Sequence, residues 1–171
     1  RDGDGRTSQV IPPVSRSGRL LLSSAQQRLW FLDQMEPGRS HYNVTVAIRI
    51  NGPLQPSLFE AAVNVLVERH EPLRTRIGES DGLPAVDIAA SIAAPVELLD
   101  VSAKLSDEAD AAAREASLDF IRRPFSLARG PLFGCLLITL APEKHELTLS
   151  LHHIIADGWS TNIFIRELWL V

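Results

Sequence analysis

Cysteine is nearly absent from this 171-residue sequence: Cys135 is the only one. A disulfide within the chain is therefore impossible, which suits a reducing compartment. No apolar run approaches the roughly 20 residues needed to cross a bilayer, and RDGDGRTSQ at the start carries no apolar signal region. These absences lead to the expectation of a soluble, cytoplasmic protein. There is no surplus of one charge either: 17 Lys and Arg stand against 21 Asp and Glu, interspersed, for a formal net charge of -4. Without a basic footprint, nucleic acid is excluded as the expected partner, and no membrane contact is expected. Internal repeats are missing as well.

What is present is an ordinary globular composition. Apolar residues make up 45% of the chain, enough to bury a core. Residues 1–18, with Gly3, Gly5, Pro12 and Pro13, read as a linker or flexible tail. LSSAQQRLWFLDQM (22–35) reads as a helix capped by Ser23 or Ser24, with a Gln three residues after each. Leu29, Trp30 and Leu32 in it are expected to be core. NVTVAIRI (43–50) alternates as a strand. PSLFEAAVNVLVERH (56–70) reads as a helix capped by Ser57, with an apolar stripe of Leu58, Ala62, Val65 and Leu66. LRTRI (73–77) and PAVDI suggest a short hairpin, and VELLDV (96–101) a further strand.

SDEADAAAREASLDFIRR (106–123) is a helix by its alanines, with Ser106 as cap, acids at its positive end and Pro124 as its stop. PLFGCLLITL (131–140) is apolar on both faces, so it reads as an interior strand. ELTLSLHH (146–153) alternates and is placed as its hairpin partner. STNIFIRELWLV opens a helix at Ser160. The expected fold class is α+β, a mixed sheet flanked by helices. Cys135 reads as packing, and His41, His70 and His145 as surface or turn residues.

The chemistry concentrates in SLHHIIADGWS (150–160), which leaves a strand and enters a helix. A rigid sheet aims the side chain and the loop keeps it accessible. Histidine is the natural proton acceptor near neutral pH. Adjacent strand residues face opposite ways, so His152 and His153 divide their work, one reacting and one bracing the backbone. Strict alternation puts His153 on the leucine face unless the strand ends first. Asp157 has two readings, orienting a histidine or taking up a buried arginine. Gly158 permits a positive φ and the close approach of a ligand. Trp159 is expected to bury area and anchor the loop. The pattern of two histidines and a carboxylate also admits a metal. The diverging histidines and the lack of further ligands argue against it.

HHIIADGWS resembles the HHxxxDG signature of the condensation domains of nonribosomal peptide synthetases, in the chloramphenicol acetyltransferase-like superfamily. LSSAQQRLWFLDQ is similar to that family's SxAQxRLWxL, RHEPLRTRI to its RHExLRTxF, and RRPFSLARGPLF to its PFDL…GPL segment. Four matches run in the family's order from residue 22 to 160. The resemblance implies that residues 19–171 form an N-terminal lobe of a condensation domain with the C-terminal lobe absent, a fragment expected to be inactive in isolation. It implies amide formation between a carrier-bound acyl or peptidyl thioester and a carrier-bound aminoacyl amine. The expected partners are donor and acceptor peptidyl carrier proteins, the remaining lobe and adjacent synthetase modules. Their phosphopantetheine arms enter as substrates, and no cofactor is permanently bound.

By the same resemblance His153 is general base or positioner, His152 is structural, and Gly158 lies near the reacting carbonyl. Asp157 pairs with an arginine, for which Arg74 is the candidate. The alternatives are a non-catalytic docking lobe, an acyl-CoA-dependent acyltransferase and an epimerisation domain. Cyclisation domains replace both histidines with aspartates and are disfavoured.

Overall fold

A computed structural model describes residues 20–80 and 82–171. The expected tail at 1–18 lies outside the described residues. Four helices and six strands appear among them, with one 3₁₀ turn. The main sheet has the order β1 (Asn43–Asn51), β6 (Lys144–His152), β5 (Phe133–Ala141), β4 (Val96–Asp100). β1, β6 and β5 are antiparallel neighbours, whereas β4 runs parallel to β5. The parallel pair needs a crossover, and α3 (Ser106–Ile121) supplies it. The expected mixed sheet is therefore present. β2 (Thr75–Ser80) and β3 (Leu83–Ile88) form a separate hairpin.

The sheet is covered on both faces, which gives three layers. On one side Phe133, Cys135, Leu137, Leu147, Leu149 and Leu151 meet Phe59, Val63, Leu66 and Val67 of α2 (Pro56–Arg69). Phe164 and Leu168 of α4 (Gly158–Leu168) join this cluster. On the other side Leu136, Ile138 and Leu140 meet Ala109, Ala113 and Phe120 of α3. The small alanines let α3 lie close to the sheet. Because both faces are covered, the polar alternation Thr148, Ser150, His152 is as buried as the leucines between them. Ser117 of α3 meets Thr148 there, hydroxyl to hydroxyl at 2.8 Å, and donates to Glu146. Cys135 is fully buried, and burial pushes its thiol up to about 12, so it is inert packing.

Several local expectations are corrected. α1 (Ser24–Met35) has its capping box from Ser23 and Gln26, yet none of its residues is fully buried. Leu29, Trp30 and Leu32 are half-buried, with Leu29 and Trp30 resting against a small cluster of Leu22, Ile77, Leu127, Leu132 and Ile154. In α2 the buried stripe is Phe59, Val63, Leu66 and Val67, while Leu58 is 63% exposed. The cap is Gln55, because Pro56 takes the first helical position and moves Ser57 inside. α3 likewise begins at Ser106 itself, with Leu105 in the cap position. The LRTRI stretch opens as a 3₁₀ turn, Glu71–Arg74, before β2 starts. His145 is buried in β6, its Nδ1 against the Thr139 hydroxyl.

Candidate active site

The site is built where β6 ends. His152 is its last residue and faces α3, directly across from Asn43 of β1. The Asn43 amide donates to the carbonyls of Ile121 and Arg123, which ties the start of β1 to the end of α3. His152 is 1% exposed and its ring lies 6.3 Å from that of Tyr42. The backbone N–H of Ile154 donates to His152 Nδ1 at 3.1 Å. Nδ1 is therefore bare and the ring proton sits on Nε2. Burial, and next the neighbouring His153, push the His152 imidazole down to about 4. His152 is a neutral structural histidine, and its Nδ1 is engaged in shaping the turn that follows.

The strand stops there, so alternation no longer governs His153. Its N–H donates to the Tyr42 carbonyl at 2.8 Å and the chain turns outward. The His153 side chain is exposed. Its Nδ1 lies 2.9 Å from the carbonyl oxygen of Ala156. A carbonyl only accepts, so Nδ1 carries the proton and, in the neutral ring, Nε2 is left bare on an exposed side chain. The two adjacent histidines thus hold opposite tautomers, each set by one backbone contact.

The supports of this turn come from three elements. Ile154 buries its side chain among Leu22, Ile77, Leu127 and Leu132. The Ile155 N–H returns to the His152 carbonyl at 3.0 Å. From α1, Gln26 Nε2 donates to the Ile154 carbonyl at 3.1 Å. The sequence marks Gln26 only as half of a capping box. Its spacing carries no signal for a contact with residue 154, and only the fold brings the two together. Tyr42 and Ala156 escape sequence reasoning as supports because they act through backbone carbonyls.

Asp157 is the N-cap of α4, which begins at Gly158, two residues earlier than Ser160. Its Oδ1 accepts from the Ser160 N–H at 2.8 Å and from the Ser160 hydroxyl at 2.7 Å. The Ser160 backbone N–H, and next its hydroxyl, hold this carboxyl below the usual carboxylate range. The expected Asp157–Arg74 pair is therefore not formed. Arg74 donates instead to four backbone carbonyls, those of Val67, Glu68, Ala89 and Ala90. It staples the end of α2 to the segment after β3, and the contact positions that segment rather than Asp157.

Two further expectations change. Gly158 has no positive φ, since it is an ordinary first helical residue. A side chain there would meet nothing within 4 Å, so room for a close approach does exist. Trp159 is 77% exposed and does not anchor the loop by burial. The other end of α4 is held by Glu167, which accepts from Arg69 Nη1 at 2.9 Å and contacts His70 Nε2 at 2.8 Å. His70 first, then Arg69, holds the Glu167 carboxyl low.

Grooves of about 890, 630 and 450 Å³ lie elsewhere on the surface, and His153 lines none of them. Among the described residues no cluster of three or more His, Cys, Asp or Glu side chains is placed to hold a metal. No described helix is long and apolar enough to cross a membrane. The arrangement offers one bare imidazole nitrogen on an exposed side chain beside an uncluttered helix start.

Comparison with known proteins gives a consistent result. The model of the Condensation domain family matches residues 16–171. A linear gramicidin synthase of Brevibacillus parabrevis is 40% identical over 161 residues, 94% of this chain and 2% of that protein. Phosphinothricin tripeptide synthetase PhsC of Streptomyces viridochromogenes is 41% identical over 151 residues, 88% of this chain and 14% of that protein. The solved starter condensation domain of rhizomide synthetase RzmA superposes with a TM-score of 0.81 at 28% identity. The match covers 89% of this chain and 36% of that one. The chain therefore spans a small part of these synthetases and about a third of the solved domain.

Proposed function

The chain belongs to the condensation-domain family, and from that premise we propose that it supplies the histidine-bearing lobe of an amide-forming site. The reaction joins a carrier-bound acyl or peptidyl thioester to the amine of a carrier-bound aminoacyl group. The amine nitrogen bonds to the thioester carbonyl carbon, the C–S bond breaks, and the phosphopantetheine thiol leaves. A proton must come off the attacking nitrogen and reach the departing sulfur. A thioester is already activated, so no enzyme nucleophile is needed, and aim and proton handling dominate.

The observation that carries this reading is the His153 tautomer. The Ala156 carbonyl fixes the proton on Nδ1 and leaves Nε2 bare on an exposed side chain. That nitrogen accepts the amine proton or orients the amine. His152 cannot share this role, being buried with its Nδ1 committed to Ile154. Asp157 is likewise committed, and its contribution is to hold the start of α4 beside the turn. The open space at Gly158 lets the reacting carbonyl come close to the backbone.

The remaining lobe and two carrier proteins complete the site, and the chain alone is inactive. His153 stands at an open surface in this lobe, in keeping with a second wall contributed from outside it. The test uses two loaded carrier proteins and a complete condensation domain built on this chain. Dipeptide should form, and His153→Ala should slow it by about 10²- to 10⁴-fold. Carrier binding with no turnover by the complete domain would make it a docking module instead.

A further inference from the structure

We propose that Gln26 is a positioning residue for His153, a role that rests on the amide-forming reading above and extends it to α1. Both ends of the Gln26 side chain are in use. Its Oε1 accepts from the Ser23 N–H at 3.0 Å, which closes the capping box opposite the Ser23 hydroxyl. Its Nε2 donates to the Ile154 carbonyl, 128 residues away. The peptide joining Ile154 to Ile155 is thereby held at both ends, by Gln26 at its oxygen and by the His152 carbonyl at its N–H. The preceding peptide is held by His152 Nδ1. His153 hangs beside these two clamped units, which carry the backbone on from the Tyr42 contact at its N–H to the Ala156 carbonyl at its ring.

No residue of α1 is fully buried. Apolar packing holds α1 near the turn through Leu29 and Trp30, and through Leu22 just before the helix, all against the cluster that includes Ile154. The Gln26 contact is the one polar link from α1 to the histidine turn among the hydrogen bonds of the described residues. Loss of it leaves a part-buried carbonyl without its donor and frees the turn to rotate. A small rotation moves Nε2 of His153, and misplacement by about 1 Å costs up to about 10²-fold in rate.

The double use of one side chain gives a clean test. A glutamate at 26 accepts from the Ser23 N–H as well as glutamine does, and Ser-x-x-Glu is itself a capping box. It has no donor for the Ile154 carbonyl. Gln26→Glu and the control Ser23→Ala are made in this chain and in a complete condensation domain built on it. Backbone and imidazole NMR of the chain, and steady-state dipeptide formation by the domain, are then measured.

With Gln26→Glu, helical content and the α1 amides should persist and the amides of 153–156 should shift. kcat should fall about 10- to 100-fold at nearly constant KM for both carriers. Ser23→Ala should loosen α1 and change kcat by less than about twofold. If Gln26→Glu does not fold, Gln26→Met removes the donor without adding charge and takes its place. Unchanged 153–156 signals and unchanged kcat overturn the proposal, as does a Ser23→Ala loss equal to that of Gln26→Glu. A wild-type domain without turnover overturns the amide-forming reading instead, and the 153–156 shifts then decide the brace alone.

Discussion

Acidification should weaken this fold through one buried histidine. His152 is 1% exposed, and burial lowers its imidazole from the ordinary 6.5 to about 4. Above about pH 7 neither the folded nor the unfolded state protonates it, and it makes no pH-dependent contribution. Between pH 6.5 and about 4 the unfolded chain takes up a proton that the folded one refuses, so stability falls as pH falls. Below about pH 4 both states carry the proton and the loss levels off. The ceiling is about 2 kcal/mol lost by about pH 5 and about 3 kcal/mol by about pH 4, against a total of about 5–15 kcal/mol for a domain of this kind. The structured carboxylates Asp157, Glu167 and Asp100 are lowered, so their own losses fall at the bottom of this window or below it. His152→Asn keeps an acceptor for the Ile154 N–H and does not titrate. Urea unfolding of both proteins from about pH 7.5 to about pH 4.5 should show the wild type losing more stability than the variant. Parallel curves, or a His152 ring that titrates near the ordinary 6.5 by NMR, would refute the reasoning.

Two other outcomes follow from the same geometry. Asp157→Ala and Arg74→Ala should be additive in a double-mutant cycle of unfolding free energies, because their partners are separate. Strong coupling would restore the ion pair. His153→Ala should change thermal stability little while it slows turnover by about 10²- to 10⁴-fold, because the ring is exposed and makes one hydrogen bond.

Much of this fold is legible in the sequence, and the gaps have physical causes. Ser23 and Gln26 mark a helix start by local hydrogen bonding, and the structure forms that box. Val44, Val46, Ile48 and Ile50 alternate with exposed neighbours, because β1 lies at the sheet edge, where one face packs on the core and α3 leaves Thr45, Ala47 and Arg49 of the other face exposed. The β5–β6 hairpin is equally readable from its two apolar runs. The stripe of α2 is ambiguous in sequence because the helix offers apolar residues nearly all round, and only packing selects Phe59 and Val63 over Leu58 and Val65. β4 pairs parallel, which no local pattern encodes.

At the site, the strand end at His152 resolves the alternation that would have turned His153 inward. The cap role of Asp157 has a signal, an aspartate three residues before a serine at a helix start, that the arginine reading overrides. Trp159 is expected inside because tryptophan usually buries itself, yet at the first turn of α4 it points outward. The resemblance names both histidines, but which ring nitrogen is bare emerges only from the contacts of Ile154 and Ala156.

The most direct test is therefore the nitrogen NMR of the neutral His153 ring, recorded with uniformly ¹⁵N-labelled protein. The structure predicts a proton on Nδ1 and a bare Nε2. A neutral His153 with its proton on Nε2 would leave no bare Nε2 to accept from the amine and would contradict the account.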